Sequence, residues 1–372
     1  MNGRKQWNWQ MKGWPLWRFD ASRAQHLEAR LQQQAGVLLG VWRHLDEGER
    51  GQLTVEALST EGMTTSAIEG EHLDLGSMQS SLQRRLGLAT TPRGAPQPAE
   101  EGIAELMVAM YRDHATPLSK DLLCEWHRML CNGRRDLQMI GDYRRHQEAM
   151  VIISGNVSEP TVHYEAPPSS RVPQDMADFI HWFNESGPSA AAPLPALLRA
   201  AIAHLYFECI HPFEDGNGRI GRTLVAKSIA QSLGQPTLLL LSEVLLKQKR
   251  RYYDELQTAS LSLEVDAWID YFAGVIIDGQ KAALSAADFT IAKARFFRRH
   301  AADLNERQTK ALLKVFAAGR GGFSGGLSAE KYISMTRASR ATATRDLAAL
   351  VAFGAMSKTG SGKGTRYSLV TE

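Results

Sequence analysis

One short segment, residues 211–222, concentrates side chains that can carry out phosphate chemistry. His211 is the group in this segment that can take up a proton at neutral pH, and Asp215 offers a hard carboxylate of the kind that Mg²⁺ binds. Arg219 and Arg222 are three residues apart, so on a helix they share one face, where their guanidinium groups can bind phosphate oxygens. The segment therefore contains the residue types of a base, a metal ligand and an anion site.

Glycines shape the backbone between the histidine and the arginines. Gly216 and Gly218 bracket Asn217, so the chain can adopt positive φ there and turn its N–H groups into a concavity. Apolar runs over 197–210 and 223–233 predict two helices around this turn, the second starting at about Gly218. The unpaired N–H groups at the start of that helix favour phosphate. Turn chemistry explains the glycines but not a histidine and two arginines at fixed offsets around them.

The segment resembles the signature of the Fic (filamentation induced by cAMP) family, H-x-F-x-[DE]-G-N-[GK]-R-x-x-R, at every fixed position. The resemblance implies an all-α Fic-fold core with a short β-hairpin flap, and a protein adenylyltransferase that transfers AMP from Mg²⁺·ATP to a Ser, Thr or Tyr hydroxyl. It implies that His211 is the catalytic base and Asp215 the metal ligand. The residues implied to bind the ATP phosphates are Gly216, Asn217, Gly218, Arg219 and Arg222.

A second segment, residues 64–71, bears on regulation. By propensity it is a helix that ends at Gly70, and its carboxylate could simply be a surface group before a turn. Within the family it resembles the inhibitory motif [ST]-x-x-x-E-[GN], matched by Thr65, Glu69 and Gly70. The resemblance implies that Glu69 pairs with Arg222 within the same chain, so that ATP binds in a non-productive pose. A carboxylate can compete with phosphate for one guanidinium group, which supports this implication.

A third segment predicts a hairpin. The sequence G-D-Y-R at 141–144 is followed by alternating β-branched residues and a Gly-Asn turn. In the family such a segment leads into the flap, which holds the target protein in extended form by backbone pairing. The resemblance therefore implies that an unknown target protein binds along the flap near Val151, Ile152 and Ile153.

Two tyrosines follow the signature in the sequence K-R-R-Y-Y at 249–253. Tyr252 and Tyr253 resemble the family segment that lines the adenine pocket, and an aromatic pair offers a stacking wall for a purine. Tyrosines that pack between helices are the alternative. Ser260 stands where several relatives carry an asparagine, a departure that concerns one expected hydrogen bond to the nucleotide.

Composition sets the broad class of the protein. The chain has 372 residues and a net charge of +3, and charged residues interrupt its most apolar stretches, so we expect core helices and no membrane span. The N-terminus lacks the apolar segment of a secretory signal. Three cysteines, Cys124, Cys131 and Cys209, have neither zinc spacing nor the even count of a disulfide framework. We therefore expect a cytoplasmic protein.

The charge is unevenly distributed along the chain. From residue 289 onward fifteen basic residues stand against five acidic ones, which leaves the remainder of the chain net negative. This asymmetry predicts a separate basic domain at the C-terminus. The predicted domains are an N-terminal helical region with the inhibitory motif at 1–100, a Fic catalytic core at 101–285 and a winged-helix-like basic domain at 286–372.

The basic tail has the pattern of a winged helix-turn-helix. Helices are predicted over 307–316, 328–333 and 339–353, followed by a glycine-rich turn at 358–363 and a final strand at 366–370. The third helix and the wing would expose basic side chains to DNA phosphates. These side chains are Arg337, Arg340, Arg345, Lys358, Lys363 and Arg366. Winged helices also serve in dimerisation and target docking, so DNA binding and a homodimer both stay open.

Three other patterns give structural expectations. The tryptophans at 7, 9, 14 and 17 are expected to pack across the domain rather than to stack a ligand. The Pro-, Gly- and Ala-rich stretch at 88–101 predicts a mobile loop. Helical patterning over 102–131 contains His114 and His127, which we interpret as surface or core histidines.

Several functions remain open from the sequence. The same site could remove AMP from a protein, or transfer another phosphate-containing group, and self-modification is open too. From a different class, the chain could be a DNA-binding regulator whose Fic site only senses nucleotide.

Overall fold

The chain divides into two compact units. The computed structural model describes residues 6–88, 97–156, 159–317, 319 and 326–370. Met1–His44 and Thr54–Leu284 form the first unit, and Leu45–Leu53 and Ser285–Glu372 form the second. Most of the predicted loop at 88–101, and Arg320 in the basic tail, lie outside the described residues. The domain boundaries drawn from the sequence stay predictions.

The predicted all-α class is confirmed: within the described residues, the regular secondary structure of the first unit is helical apart from one hairpin. Two of its helices, Glu47–Ile68 and Asp266–Arg299, also extend into the second unit. The helices are α1 (Gln25–His44), α2 (Glu47–Ile68), α3 (Leu75–Leu86), α4 (Pro98–Arg112), α5 (Lys120–Leu130), α6 (Val172–Glu185), α7 (Ala196–Ile210), α8 (Asn217–Leu233), α9 (Leu241–Lys247), α10 (Lys249–Ala259) and α11 (Asp266–Arg299).

The core of the first unit is organised around α7. Every residue of α7 is buried, because the helix is apolar on all faces and other elements cover each of them. α8 packs against it, with Ile220, Leu224 and Ile229 fully buried. The turn between these two helices is the signature segment, so the predicted site lies on the most enclosed part of this unit.

The segment that resembles the inhibitory motif is the end of a long helix. The helix predicted to end at Gly70 is the last part of α2, which ends at Ile68, and Gly70 follows with φ 86°. Farther on, α4 begins at Pro98, inside the predicted loop, because proline suits the first turn of a helix. The single helical stretch predicted over 102–131 is divided into α4 and α5, and Ser119 caps the second of them by accepting the N–H of Leu122.

The predicted hairpin is confirmed. Strands β1 (Val151–Asn156) and β2 (Glu159–Glu165) pair in antiparallel fashion, with a register irregularity between Ile152 and Ile153. The N-terminal tryptophans pack as expected: the ring of Trp7 meets that of Tyr164 edge-on at 5.1 Å, and Nε1 of Trp9 donates to the Glu165 carbonyl at 2.7 Å. In the described part of the chain, no helix has the length and apolarity needed to cross a membrane.

In its described residues from Glu306 onward, the second unit contains three short helices followed by a hairpin, in the order that the basic tail predicted. Ser328 and Ser339 cap two of the helices through their hydroxyl groups. The elements are α12 (Glu306–Ala317), α13 (Ala329–Thr336), α14 (Arg340–Ala352), β3 (Met356–Thr359) and β4 (Arg366–Leu369). β3 takes up the start of the predicted glycine-rich turn. The element order is compatible with a winged helix, which stays a prediction.

Candidate active site

The candidate site is built at the turn between α7 and α8. α7 ends at His211, whose backbone lies in the left-handed region at φ 51° and whose N–H donates to the Phe207 carbonyl at 3.0 Å. Gly216, at φ 81°, then caps the start of α8. A histidine holds this conformation only where its surroundings impose it. The turn places the imidazole and Gly218, in the first turn of α8, on the same cavity.

Asn217 fixes the conformation of the turn. Its Oδ1 accepts the N–H of Phe213 at 2.9 Å, and its Nδ2 donates to the Phe213 carbonyl at 2.8 Å. Phe213 is itself fully buried, with its ring stacked 4.2 Å from that of His127. The amide of Asn217 is thus used inside the turn, and only the backbone of this predicted phosphate-binding residue remains to face a ligand.

His127, in α5, bonds the turn to the segment that precedes the flap. The N–H of Gly141 donates to Nδ1 of His127 at 2.9 Å, so Nε2 carries the proton and donates to the Asp215 carbonyl at 3.2 Å. Burial lowers the pKa of His127, which favours this neutral form. Of the two interpretations offered by the sequence, the structure selects a core histidine, and it positions the signature turn.

Arg144 holds the end of α7. Its buried guanidinium donates to the carbonyls of His211 at 2.8 Å and Pro167 at 2.6 Å, and its backbone N–H donates to the Pro212 carbonyl at 2.9 Å. These bonds fix the backbone on both sides of the imidazole. The G-D-Y-R segment therefore positions His211 as well as leading into the flap.

His211 is neutral in this environment. Burial lowers its pKa to about 4, and the charge of Arg144 acts in the same direction. A neutral imidazole is the form that can accept a proton. Its Nδ1 atom lies 3.9 Å from Oε2 of Glu208. Burial raises the pKa of Glu208 to about 8, so this carboxyl group is mostly protonated at neutral pH.

Arg222 is buried and held by the end of α2. Its Nη2 donates to Oε1 of Glu69 at 2.7 Å and to the Thr65 carbonyl at 3.1 Å, while its Nε donates to Oγ1 of Thr65 at 2.7 Å. The arginine side chain is 1% exposed. Thr65 and Glu69, two residues that match the inhibitory motif, therefore both contact Arg222, the second arginine of the signature.

The carboxylate of Glu69 lies over the start of α8. A Cβ atom at Gly218 would stand 2.3 Å from its Oε1, so the carboxylate contacts the backbone of the first helical turn. That position is where a helix N-terminus binds anions. The structure thus brings Glu69, Gly218 and Arg222 together.

Arg219 and Asp215 belong to a second group of ion pairs. Nη1 of Arg219 lies 2.5 Å from Oε2 of Glu71, and its Nη2 lies 3.5 Å from Oδ1 of Asp215. Nη1 of Arg134 lies 2.6 Å from Oδ2 of Asp215 and 3.9 Å from Oε1 of Glu71. Burial alone would raise the pKa of Asp215, but Arg134 and Arg219 outweigh it and the pKa is lowered. This carboxylate is therefore ionised at neutral pH.

The donor set at Asp215 fits a magnesium ion that arrives with phosphate. No three His, Cys, Asp or Glu side chains among the described residues are placed to hold a metal by themselves. Mg²⁺ is commonly held by one or two carboxylates together with phosphate oxygens and water. Asp215 is ionised and 36% exposed at the turn, which suits that mode, and a metal there would compete with Arg134 for the carboxylate.

A cavity of about 690 Å³ opens beside the signature turn, between the flap and α10. Its wall includes Ile68, Glu69, Ile152, Glu208, His211, Gly218, Tyr252, Tyr253 and Ser260. These residues belong to the end of α2, the flap, α7, the turn, the start of α8, and α10 with the residue that follows it. The cavity therefore joins the predicted base, the predicted anion site and the predicted adenine wall in one space.

The two predicted adenine-wall tyrosines differ in accessibility. Tyr253 is 38% exposed, whereas Tyr252 is buried and its hydroxyl group is 2.8 Å from Nε2 of His204. Tyr253 is thus the ring more open to stacking, and Tyr252 packs between helices. The hydroxyl group of Ser260 donates to the Gln257 carbonyl at 2.7 Å, so it is engaged within α10.

Sequence reasoning did not identify several residues of the site, namely Glu71, His127, Arg134, Arg144 and Glu208. Two of these carried a local signal. Glu71 is a second carboxylate two residues after Glu69, and Glu208 precedes His211 by three residues at helical spacing. His127 and Arg134 come from segments far along the chain, where nothing local marks them. Arg144 ends the G-D-Y-R segment, which predicted the flap but not this contact with the turn.

Comparison with known proteins supports this picture. The Fic/DOC family matches residues 117–228, and a domain of unknown function, DUF4172, matches residues 7–88. Protein adenylyltransferase fic-1 of Caenorhabditis briggsae is 28% identical over 200 residues, and protein adenylyltransferase Fic of Drosophila virilis is 30% identical over 203. These alignments cover 53% and 52% of the chain but only 36% of each relative. The chain thus spans about a third of the length of these curated relatives.

Solved structures share the fold. A Fic family protein from Desulfovibrio desulfuricans superposes with a TM-score of 0.52 at 22% identity, over 93% of this chain and 96% of its own. A Fic domain containing signaling protein from Bacteroides thetaiotaomicron also gives 0.52, at 18% identity over 70% of this chain and 97% of its own. Residues 117–228 thus match the Fic/DOC family, and the chain shares its fold with these two proteins.

Proposed function

We propose that this chain is a protein adenylyltransferase that transfers AMP from ATP to a Ser, Thr or Tyr hydroxyl group of a protein. The observation that carries the proposal is a neutral, buried His211 on the same cavity as the start of α8, where phosphate would bind. The Fic/DOC match and the names of the relatives support the same class of reaction.

In the proposed reaction the target hydroxyl oxygen forms a bond to the α-phosphorus while the bond to pyrophosphate breaks. His211 accepts the hydroxyl proton on the ring nitrogen that does not face Glu208. Backbone N–H groups at 217 and 218 stabilise negative charge on the α-phosphate oxygens. Arg219 and Arg222 bind the β- and γ-phosphates. Mg²⁺ held by Asp215 supplies positive charge to the phosphates when it is bound.

Glu69 inhibits this reaction within the same chain. Its carboxylate contacts Gly218 and pairs with Arg222, which are the backbone and side-chain parts of the proposed phosphate site. A γ-phosphate that approaches Arg222 meets this negative charge first. ATP therefore binds with its phosphates displaced from the productive position.

The target protein binds along the flap. In a two-stranded sheet, the edge of β1 that does not face β2 can accept a further strand. Val151, in β1, is 39% exposed, and Ile152 lines the cavity. An extended segment paired with β1 would thus hold its hydroxyl group near His211.

Radioactive transfer tests the proposal. We would incubate wild type, Glu69→Gly and the double variant Glu69→Gly/His211→Ala with Mg²⁺ and a candidate protein pool, using ATP labelled at the α- or at the γ-phosphate. We expect transfer of the α-label by Glu69→Gly, much less by wild type, and none by the double variant. The γ-label is the control, because AMP transfer releases it with pyrophosphate.

Other outcomes separate the alternatives. Release of AMP from pre-labelled protein by wild type but not by Glu69→Gly would favour AMP removal as the reaction. If no variant transfers the α-label although each one binds nucleotide, the result would count against ATP as the donor.

A second candidate function belongs to the second unit, which we propose binds duplex DNA. The side chains of Arg340 and Arg345 on α14, and of Arg337 and Lys358 beside it, are exposed. A helix that exposes such positive charges can lie in the major groove and contact the DNA phosphates beside it. Salt-dependent retention on DNA that persists in His211→Ala and is lost in Arg340→Ala/Arg345→Ala is the expected result. Retention unchanged by the double alanine variant would contradict it.

A further inference from the structure

Two ion pairs at the signature turn do not involve Glu69. Oε2 of Glu71 is 2.5 Å from Nη1 of Arg219, and Nη1 of Arg134 is 2.6 Å from Oδ2 of Asp215. Glu71 and Arg134 also approach each other at 3.9 Å. Because Arg219 also approaches Asp215 at 3.5 Å, the four side chains form a closed ring of alternating charge.

Arg219 and Asp215 are fixed in place, and Glu71 and Arg134 have alternatives. Arg219 is 4% exposed, and Oδ1 of Asp215 accepts the N–H of Gly216 at 2.6 Å. Glu71 is 35% exposed, so it can turn toward water. Arg134 also donates from Nε and Nη2 to the carboxylate of Asp136, at 2.8 and 2.6 Å. It can therefore release Asp215 and stay paired. Glu71 and Arg134 are therefore the groups that can leave.

Each of the two fixed groups is one that Mg²⁺·ATP would need. Arg219 would bind phosphate and Asp215 would bind the metal, so each must give up its present partner when the ligand arrives. A carboxylate and a phosphate compete for the same guanidinium geometry, and an arginine and a metal ion compete for the same carboxylate oxygen.

We propose that Glu71 takes the place of a phosphate on Arg219 and Arg134 takes the place of the metal ion on Asp215, so that Mg²⁺·ATP binds by exchanging both. The proposal rests on the proposed nucleotide function and concerns regulation of that site. It makes the inhibitory segment act at two points, Glu69 at Arg222 and Glu71 at Arg219. The contact of Glu71 with Arg219 is linked to the proposed metal site through Arg134, whereas the contact of Glu69 with Arg222 is not.

The exchange predicts that the loss of Glu71 and the loss of Arg134 change the metal dependence of nucleotide binding in different ways. Removing the charge of Glu71 frees Arg219 and should strengthen nucleotide binding even without metal. Removing Arg134 should lower the Mg²⁺ concentration needed for binding, because one competitor for Asp215 is gone. It should not strengthen metal-free binding, because a positive charge near the phosphates has been lost. A role in folding alone would not produce these opposite patterns.

Equilibrium binding of α,β-methylene-ATP, which cannot release pyrophosphate, provides the measurement. Wild type, Glu69→Gly, Glu71→Gln and Arg134→Gln would be titrated in EDTA and in graded Mg²⁺. We expect Glu71→Gln to bind about tenfold more tightly than wild type in EDTA, the effect of about 1.4 kcal/mol. We expect Arg134→Gln to halve or further reduce the Mg²⁺ concentration at half-maximal binding.

Glu105→Gln is the matched control. Glu105 is 37% exposed and its carboxylate lies 2.9 Å from Nη2 of Arg85. The substitution therefore removes a comparable ion pair outside the cavity. The variant should bind the nucleotide as wild type does. If Glu71→Gln does not fold, Glu71→Asp shortens the carboxylate by one methylene group, and its thermal stabilisation by inorganic pyrophosphate should exceed that of wild type.

The outcomes separate this proposal from the function on which it rests. Binding by Glu69→Gly together with a Glu71→Gln variant that behaves as Glu105→Gln would overturn the exchange at Arg219. An unchanged Mg²⁺ requirement in Arg134→Gln would overturn the exchange at Asp215. Failure of every variant to bind nucleotide in any condition would overturn the nucleotide site itself, and this proposal with it.

Discussion

Glu69 and Gly218 are in contact across the first turn of α8: a Cβ atom at Gly218 would stand 2.3 Å from Oε1 of Glu69. The same oxygen accepts a hydrogen bond from Arg222 at 2.7 Å. One carboxylate thus covers both the backbone and a side chain of the proposed phosphate site. The contact also explains why a residue without a side chain stands at this position.

This contact predicts that the cost of Gly218→Ala depends on Glu69. In wild type the new methyl group meets the carboxylate, and we expect a loss of about 1–3 kcal/mol in the free energy of unfolding. In the Glu69→Gly background the nearest remaining atom is Nη1 of Arg222, at 3.0 Å, so the loss should be smaller. Urea unfolding of the four proteins in this double-mutant cycle measures the difference. Equal losses in both backgrounds would contradict the contact.

The bonds of Asn217 to the Phe213 backbone predict a structural loss in Asn217→Ala. The variant leaves a buried N–H and a buried carbonyl of Phe213 without their partners, which costs about 1–3 kcal/mol for each unsatisfied group. Asn217→Asp is the informative comparison, because its carboxylate still accepts the N–H of Phe213. Thermal melts should rank wild type above the aspartate variant and the alanine variant lowest. An alanine variant as stable as wild type would show that the turn holds without the amide.

The low pKa of His211 predicts the acid limb of activity. Because burial lowers this pKa to about 4, the imidazole stays neutral and able to accept a proton well below pH 6. Initial rates of α-label transfer by Glu69→Gly should therefore stay level from neutral pH down to about pH 5 and fall as the pH passes 4. Circular dichroism at each pH provides the control for folding. A midpoint near 6.5, the ordinary value for histidine, would show that the imidazole is more solvated than the structure indicates.

The raised pKa of Glu208 predicts a pH-dependent gain of stability in Glu208→Gln. The unfolded chain loses the Glu208 proton near pH 4.5, but the folded chain keeps it up to about pH 8. The glutamate therefore lowers the stability of the wild-type fold progressively as pH rises between these values. Glutamine cannot ionise, so the variant should gain relative to wild type by about 1–3 kcal/mol from pH 5 to pH 8. A stability difference that is constant with pH would rule out a protonated Glu208.

Much of the proposed site could be predicted because it is local in sequence. His211, Asp215, Gly216, Arg219 and Arg222 stand within twelve consecutive residues, and short-range rules govern the left-handed glycine, the helix start and the shared helical face. The helices around the turn and the hairpin follow from local sequence patterns for the same reason, and the all-α fold was implied by the family resemblance. The resemblance of residues 65–70 to a family motif extended this reading to Glu69.

Tertiary structure decided what surrounds those residues. His127, Arg144 and Arg134 reach the turn from positions 67 to 88 residues away, as in the bonds from Arg144 to His211 and from His127 to Asp215, and no local pattern encodes such pairs. Burial sets the neutral state of His211 and the proton on Glu208, and burial is a property of packing. The sequence by itself determined which chemical groups stand at the turn. Only the folded chain decided their charge states and their partners, because desolvation and long-range contacts exist only after distant segments have packed together.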